Sequence, residues 1–235
     1  MAALHFVVPV RSPEVSKDWG HVAKLARQTV ASICRQTIPD FRLHLVCHTA
    51  PSDLPHCPQL QVIEVDLPIP QDKDEMLIDK NAKIQHGLVE VRAEGGSYVM
   101  IVDADDRVHR GLTEWVSNHL GENGWYVSDG YVYPYGRSYL FMWRDFHLYC
   151  GTSSMVLCLP CDLPRHPDEP FSSSILLRNG HHKLVQKLDE RGTPLSPLPF
   201  QGACWVTDTS ENHSGISLTG WRSTRDVLTR IFRTR

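Results

Sequence analysis

No run in this 235-residue chain approaches the roughly 20 consecutive apolar residues of a bilayer-spanning helix, so no membrane-spanning helix is predicted. Basic charge is not in excess either: 24 Lys and Arg stand against 27 Asp and Glu, a formal net charge of −3, and nucleic acid is therefore not the expected partner. No cationic leader precedes the short apolar run at the N-terminus, which reads as cytoplasmic. The seven cysteines are odd in number and scattered, which fits reduced thiols better than a disulfide framework. Cys158-Leu159-Pro160-Cys161, with Cys150, His147 and His166 nearby, has the residue types of a zinc site. It lacks the usual second paired motif, so core thiols are the plainer reading. The turn Pro9-Val10-Arg11-Ser12-Pro13 contains no glycine, which excludes a glycine-rich phosphate loop after the first strand. Internal repeats and low-complexity tracts are also absent.

What is present is an alternation of apolar strands with helical periodicity. Leu4 to Val10 reads as a buried strand and Trp19 to Gln36 as a helix, with Val22, Leu25, Ala26, Thr29, Val30 and Ile33 at helical spacing. Phe41 to Cys47 and Leu60 to Val65 are further strands, and Asp79 to Ala93 is a second helix leading through Gly95-Gly96 into the run Tyr98 to Val102. The order predicts an α/β fold with a mostly parallel sheet, right-handed crossovers and flanking helices. Trp125 to Tyr149 carries ten aromatics in partly alternating order, most of them expected to pack and two or three to face a ligand. A helix opening at Gly180-His181-His182-Lys183 and a strand from Leu198 to Val206 complete the pattern.

The most informative motif is Asp103-Ala104-Asp105-Asp106 at the end of that fourth apolar run. An Asp-x-Asp triplet is common by chance, and acidic residues also cap helices. Here the preceding strand is buried on both faces and a helix-like stretch follows, so the carboxylates arrive at the C-terminal edge of a sheet, where open α/β folds bind ligands. Side-chain alternation puts Asp103 and Asp105 on one face, able to share a hard divalent cation with a diphosphate. That combination predicts a metal-assisted enzyme acting on a nucleotide-linked substrate.

Taken together, Phe6 to Arg11, Lys80-Asn81-Ala82-Lys83 with Gly87-Leu88, Gly95 to Asp106, and His213-Ser214 resemble GT-A-fold glycosyltransferases of the family 2 type. The resemblance covers the nucleotide-binding half, residues 1–106, well and the acceptor half, 107–220, poorly. It implies a single GT-A, Rossmann-like domain over residues 1–220 and transfer of a sugar from a nucleotide-diphosphate donor, a UDP-sugar, to a hydroxyl of a glycan or lipid-linked glycan, with inversion. By the same resemblance, Pro9 and Arg11 contact the nucleotide, and Lys80 and Lys83 neutralise its phosphates. Asp103 contacts ribose or metal, Asp105 ligates Mn²⁺ or Mg²⁺, and His213 completes the metal shell.

Two departures from that pattern stand out. Where the family often places an acidic residue after the second strand, this chain has Cys47-His48. The family's acidic pair at the head of the late helix, which supplies the catalytic base, is replaced by Gly180-His181-His182, leaving either imidazole, His181 foremost, in competition with Asp168 and its neighbour Glu169. A nucleotidyltransferase making the sugar nucleotide, or a non-catalytic binding module of the same fold, are the alternatives, and the glycine-free first turn weighs against the former. Residues 221–235 carry five arginines around Val227, Leu228, Ile231 and Phe232. They predict a basic amphipathic helix that docks on the domain or lies on the inner face of a membrane.

Overall fold

The computed structural model describes residues 2–178 and 180–211; His213 and the basic tail lie outside them. In chain order the elements are β1 (Leu4–Pro9), α1 (Trp19–Ile33), β2 (Phe41–Cys47), β3 (Leu60–Glu64), α2 (Lys73–Ala93), β4 (Ser97–Ile101), β5 (Arg107–Val108) and α3 (Leu112–Ser117). There follow β6 (Gly124–Tyr126), β7 (Asp129–Pro134), β8 (Phe141–Arg144), β9 (Ser154–Cys158), α4 (Ile175–Arg178), α5 (His181–Glu190), β10 (Ser196–Pro197) and β11 (Ala203–Thr207). The fold is α/β, with a seven-stranded sheet in the order β10-β6-β9-β4-β1-β2-β3.

β1 is buried along its whole length because it is sandwiched twice. It pairs in parallel with β2 on one edge and β4 on the other, and both its faces are covered. Phe6 and Val8 pack with Val22, Ala26, Val30 and Ile33 of α1, whereas Val7 packs with Ile84, Leu88 and Val91 of α2. A continuous apolar strand is the sequence form that such two-sided burial demands. Gly87 lets α2 settle closely on β1: a Cβ there would stand 2.6 Å from Val7 Cγ1.

Several boundaries and pairings differ from the sequence reading. α2 starts at Lys73, six residues before Asp79, because the Asp72 side chain accepts from the Glu75 N–H at 2.9 Å and caps an extra, largely exposed stretch of helix. α1 stops at Ile33 rather than Gln36. Gln36 is diverted to bridge the loop before α3, its side chain accepting from the Thr113 N–H at 2.9 Å and donating to the His109 carbonyl at 3.0 Å. β9 runs antiparallel to both β4 and β6, so the large sheet is only mostly parallel. The expected strand from Leu198 to Val206 is displaced to Ala203–Thr207 and joins a second, four-stranded sheet, β5-β11-β7-β8, that the sequence pattern did not announce.

The cysteines named for zinc do not converge. Cys150 and Cys158 belong to separate apolar clusters and Cys161 is exposed. Among the described residues no helix is long and apolar enough to cross a membrane.

One polar pair is sealed within the large sheet. His5 on β1 and His44 on β2 lie 3.0 Å apart, Nδ1 to Nε2, with ring planes 1° from parallel and centroids 5.3 Å apart. Those dimensions describe two coplanar rings joined end to end by a hydrogen bond rather than a face-to-face stack. His44 Nδ1 donates to Gln61 Oε1 at 3.0 Å, so its Nε2 is the acceptor for His5 Nδ1–H. Glu94 brings a carboxylate into the same group, but the two nitrogens face each other across a shared proton and leave no common apex for an ion.

Burial keeps both imidazoles neutral, with His5 lowered to about 3 and His44 also lowered, desolvation being the main cause in each. The unfolded chain therefore binds more protons than the folded one between about pH 6.5 and 3, and stability falls as the pH drops through that window. The expected slope is up to about 1.4 kcal/mol per pH unit for each imidazole, read from urea unfolding at stepped pH, and the H5N/H44N variant flattens it.

Candidate active site

β4 ends and its last residues are pinned before they can fray. The Val102 N–H still reaches the Val7 carbonyl at 2.9 Å, and the chain then turns, with the Asp106 N–H donating to the Asp103 carbonyl at 3.0 Å. The Thr29 hydroxyl of α1 holds that turn from below, 2.8 Å from the Ala104 carbonyl and 2.7 Å from that of Asp106. The Asp103 N–H donates to the Thr152 hydroxyl at 2.9 Å, and that hydroxyl donates onward to Asp106 Oδ2 at 2.6 Å.

The three aspartates consequently do different things. Asp106 is buried and turned inward, accepting from Thr152, from Cys150 Sγ at 3.2 Å and, through Oδ1, from the Val206 N–H of β11 at 2.9 Å. It ties the second sheet to the turn. Asp103 and Asp105 instead line a cavity of about 240 Å³.

That cavity lies at the C-terminal ends of β1 and β4. It is walled by Pro9 at the end of β1 and Arg11 just beyond it, Lys80 and Lys83 on α2, Tyr149 and Gly151 before β9, His181 at the head of α5, Trp205 on β11, and Glu211. The structure thus brings Pro9, Arg11, Lys80, Lys83, Asp103, Asp105 and His181 together from four separate segments of chain. It places Asp168 elsewhere: this residue is absent from the cavity wall and acts on His86, on another face of α2. Its loop is held there by the Gln85 amide, which donates to the carbonyls of Pro167 at 2.9 Å and Glu169 at 2.6 Å.

Among the described residues of the cavity wall, four carboxylates, Asp79, Asp103, Asp105 and Glu211, stand against three cationic side chains, Arg11, Lys80 and Lys83. Lys80 Nζ meets Asp103 Oδ1 at 2.5 Å. Burial alone would lower that ammonium, but Asp103 foremost, with Asp105 and Asp106, holds it above its ordinary value. Asp105 is pushed up to about 7 by burial and by Asp103, against smaller opposing effects of Lys80 and Arg11. Arg11 is itself engaged, donating to Glu211 Oε2 at 2.7 Å, while the other oxygen of Glu211 accepts from the Asp18 N–H at 3.0 Å. Gly151 leaves Asp103 room on its far side: a Cβ at that glycine would sit 3.2 Å from Oδ2.

His181 is kept neutral near pH 7. Burial lowers its pKa, helped by Lys80 and His182, with Asp103 and a hydrogen bond from the ring to the Tyr149 carbonyl pulling the other way. Lys83 is not a solvated helix face. It is fully buried against Asp79, Nζ to Oδ2 at 2.7 Å, one helical turn away.

No family profile and no curated protein sequence matches this chain. Solved structures do resemble it in fold. TarS of S. aureus, as its 1–349 fragment, is 12% identical with a TM-score of 0.46 over 88% of this chain and 60% of that one. A longer TarS structure is 11% identical with a TM-score of 0.41 over 88% of this chain and 37% of its own length. A Desulfovibrio desulfuricans G20 protein, provisionally described as a nucleotide-diphospho-sugar transferase, is 14% identical with a TM-score of 0.37 over 88% and 82% of the two chains. The chain therefore spans less than two thirds of either TarS structure.

Asp79 and Glu211 are the charged residues of the described cavity wall that the sequence reading did not assign. The Asp79 to Lys83 spacing of four on a helix was a legible signal; the approach of Glu211 to Arg11, 200 residues apart, was not.

The different roles of the three aspartates predict opposite stability effects. D106N must turn an amide N–H₂ toward one of the groups that donate to the carboxylate, and it costs about 2 kcal/mol in chemical unfolding. D105N does the reverse in metal-free buffer. Because the folded pKa of Asp105 is raised, stability is lost as pH climbs toward about 7, so the asparagine variant is the more stable at pH 8 and the advantage vanishes near pH 4. The expected gain is about 1–2 kcal/mol, limited by cavity solvent that screens the side chain.

Proposed function

We propose that this protein is a metal-dependent glycosyltransferase that moves a sugar from a nucleotide-diphosphate donor to a hydroxyl group. The observation that carries the reading is the convergence on one cavity of the Asp103 and Asp105 carboxylates, the cationic Arg11 and Lys80 and the neutral His181 imidazole. Asp103 and Asp105 fit a hard divalent cation. They are oxygen donors on one turn, Asp105 is raised by burial and by Asp103, and Asp103 faces Gly151, where no side chain intrudes. Mn²⁺ or Mg²⁺ held there, with His213 as a further candidate ligand, supplies charge neutralisation for the departing diphosphate.

The chain's own residues account for the remainder of the chemistry. Arg11 and Lys80 line the path of the phosphates. The Lys80 ammonium has three donors, of which Asp103 uses one. The acceptor hydroxyl loses its proton to His181, its oxygen forms the new bond at the anomeric carbon, and the bond to the diphosphate breaks on the opposite face, inverting the configuration. Tyr149, half exposed beside His181 and braced edge to face by Trp143 with centroids 5.6 Å apart, offers an aromatic surface for an acceptor sugar. A glycan or lipid-linked glycan acceptor, a UDP-linked donor and a cytoplasmic site of action complete the proposal.

The test is release of UDP from a panel of UDP-sugars with Mn²⁺ and with chelator. Metal-dependent release is expected, and its absence for every donor refutes the reading. D105A should lower kcat by at least about 10²-fold without loss of Tm, and H181N by about 10²–10⁴-fold. In the wild type the rate should fall on the acidic side with an apparent pKa below the ordinary imidazole value, since His181 must be neutral to accept a proton. H181N should lack that limb.

A further inference from the structure

In the same cavity as Asp105, two buried residues form a donor–acceptor pair that the transfer chemistry leaves unused. Asp79 and Lys83 both line the cavity, with side chains only 8% and 1% exposed. They stand beside the end of β2, where Asp79 lies 3.8 Å from His48, whereas Lys80 turns to the Asp103 side. In the sheet order β4-β1-β2, that separates them from the aspartate turn by the width of β1.

The pair is incompletely matched. Asp79 Oδ2 accepts from Lys83, but Oδ1 has no hydrogen-bond donor among the described residues. His48 does not supply one, because its Nε2–H donates to the Leu67 carbonyl at 3.0 Å. Lys83 has three donors and Asp79 uses one. A buried carboxylate oxygen left without a donor is costly, and a buried ion pair is a weak source of stability, so packing alone does not account for the arrangement. A ligand that brings an N–H to Asp79 and a C=O to Lys83 satisfies both.

We propose that Asp79 and Lys83 read the base of the donor nucleotide and select a base edge that presents an N–H beside a C=O, as uracil and guanine do. The inference rests on the proposed binding of a nucleoside diphosphate in this cavity. With the diphosphate at Asp103–Asp105, the nucleoside extends across β1 toward β2 and meets the pair there. Cytosine and adenine present the reverse pattern, a bare ring nitrogen beside an amino group. They set acceptor against acceptor and donor against donor, a mismatch that buried polar groups penalise heavily. The carboxylate missing after β2 is thereby supplied from α2.

Calorimetric titration of the full chain with UDP, GDP, CDP and ADP in saturating Mn²⁺ tests this. UDP or GDP should bind at least about 10-fold more tightly than CDP and ADP. Methylation of the read nitrogen, as N3-methyl-UDP or N1-methyl-GDP, should remove that advantage in the unaltered protein, and D79N should narrow the gap to CDP by at least about 10-fold. Equal binding of all four nucleotides, or undiminished binding of the methylated one, overturns the base assignment alone. Failure of all four to bind overturns the glycosyltransferase reading and this inference with it. The methylated nucleotide decides the matter should D79N fold poorly.

Discussion

Electrostatic excess at the end of β4 is the constraint on which the site depends. Asp103 and Asp105 are carried out of a buried strand into a partly desolvated cavity with Asp106 turned inward beside them, and among the described residues of the cavity wall carboxylates outnumber cationic side chains. Asp105 responds by holding its proton toward about 7, and Lys80 responds by holding its own more tightly than an isolated lysine. A divalent cation with a diphosphate would satisfy this field better than protons do, and that is the physical basis of the proposed chemistry.

Such a field is useful only if it is held still. Asp106 gives up ligand chemistry to do that: its two oxygens accept from β11 on one side and from the Thr152 segment on the other, so the turn cannot move without breaking contacts in both sheets. Thr29 fixes the same turn from α1. Glu211 does an analogous job for Arg11, orienting the guanidinium while anchoring the chain that leaves β11. Preorganisation of this kind lets charged groups act without reorganising during a reaction.

Much of this was legible in the sequence, and the reason is local. Tyr98 to Val102 could be read as a doubly buried strand because apolar continuity has no other use in a short segment, and the position of Asp103 and Asp105 at its end follows from chain geometry. Asp106 looks the same in sequence as its neighbours, but only the packing of β11 and β9 around it makes it an anchor. Asp168, flanked by prolines, had the composition of a candidate base, yet Gln85 fixes its loop against another face of α2. The second sheet was hidden because its strands are short and partly polar and, outside the β7-β8 hairpin, paired between segments distant in the chain, so no window of sequence contained β11 with either of its partners.

The sequence by itself determined the α/β class, the strand that ends in carboxylates and the residue types available for metal and phosphate, because alternation, burial and spacing are properties of neighbouring residues. Tertiary structure alone decided which groups meet. It placed His181 beside Asp103 and Glu211 on Arg11, sent Asp168 away, and set Asp79 and Lys83 in the wall of the same cavity. Those outcomes depend on how helices seat against a twisted sheet, which is an energy summed over the whole core and written in no single stretch of the chain.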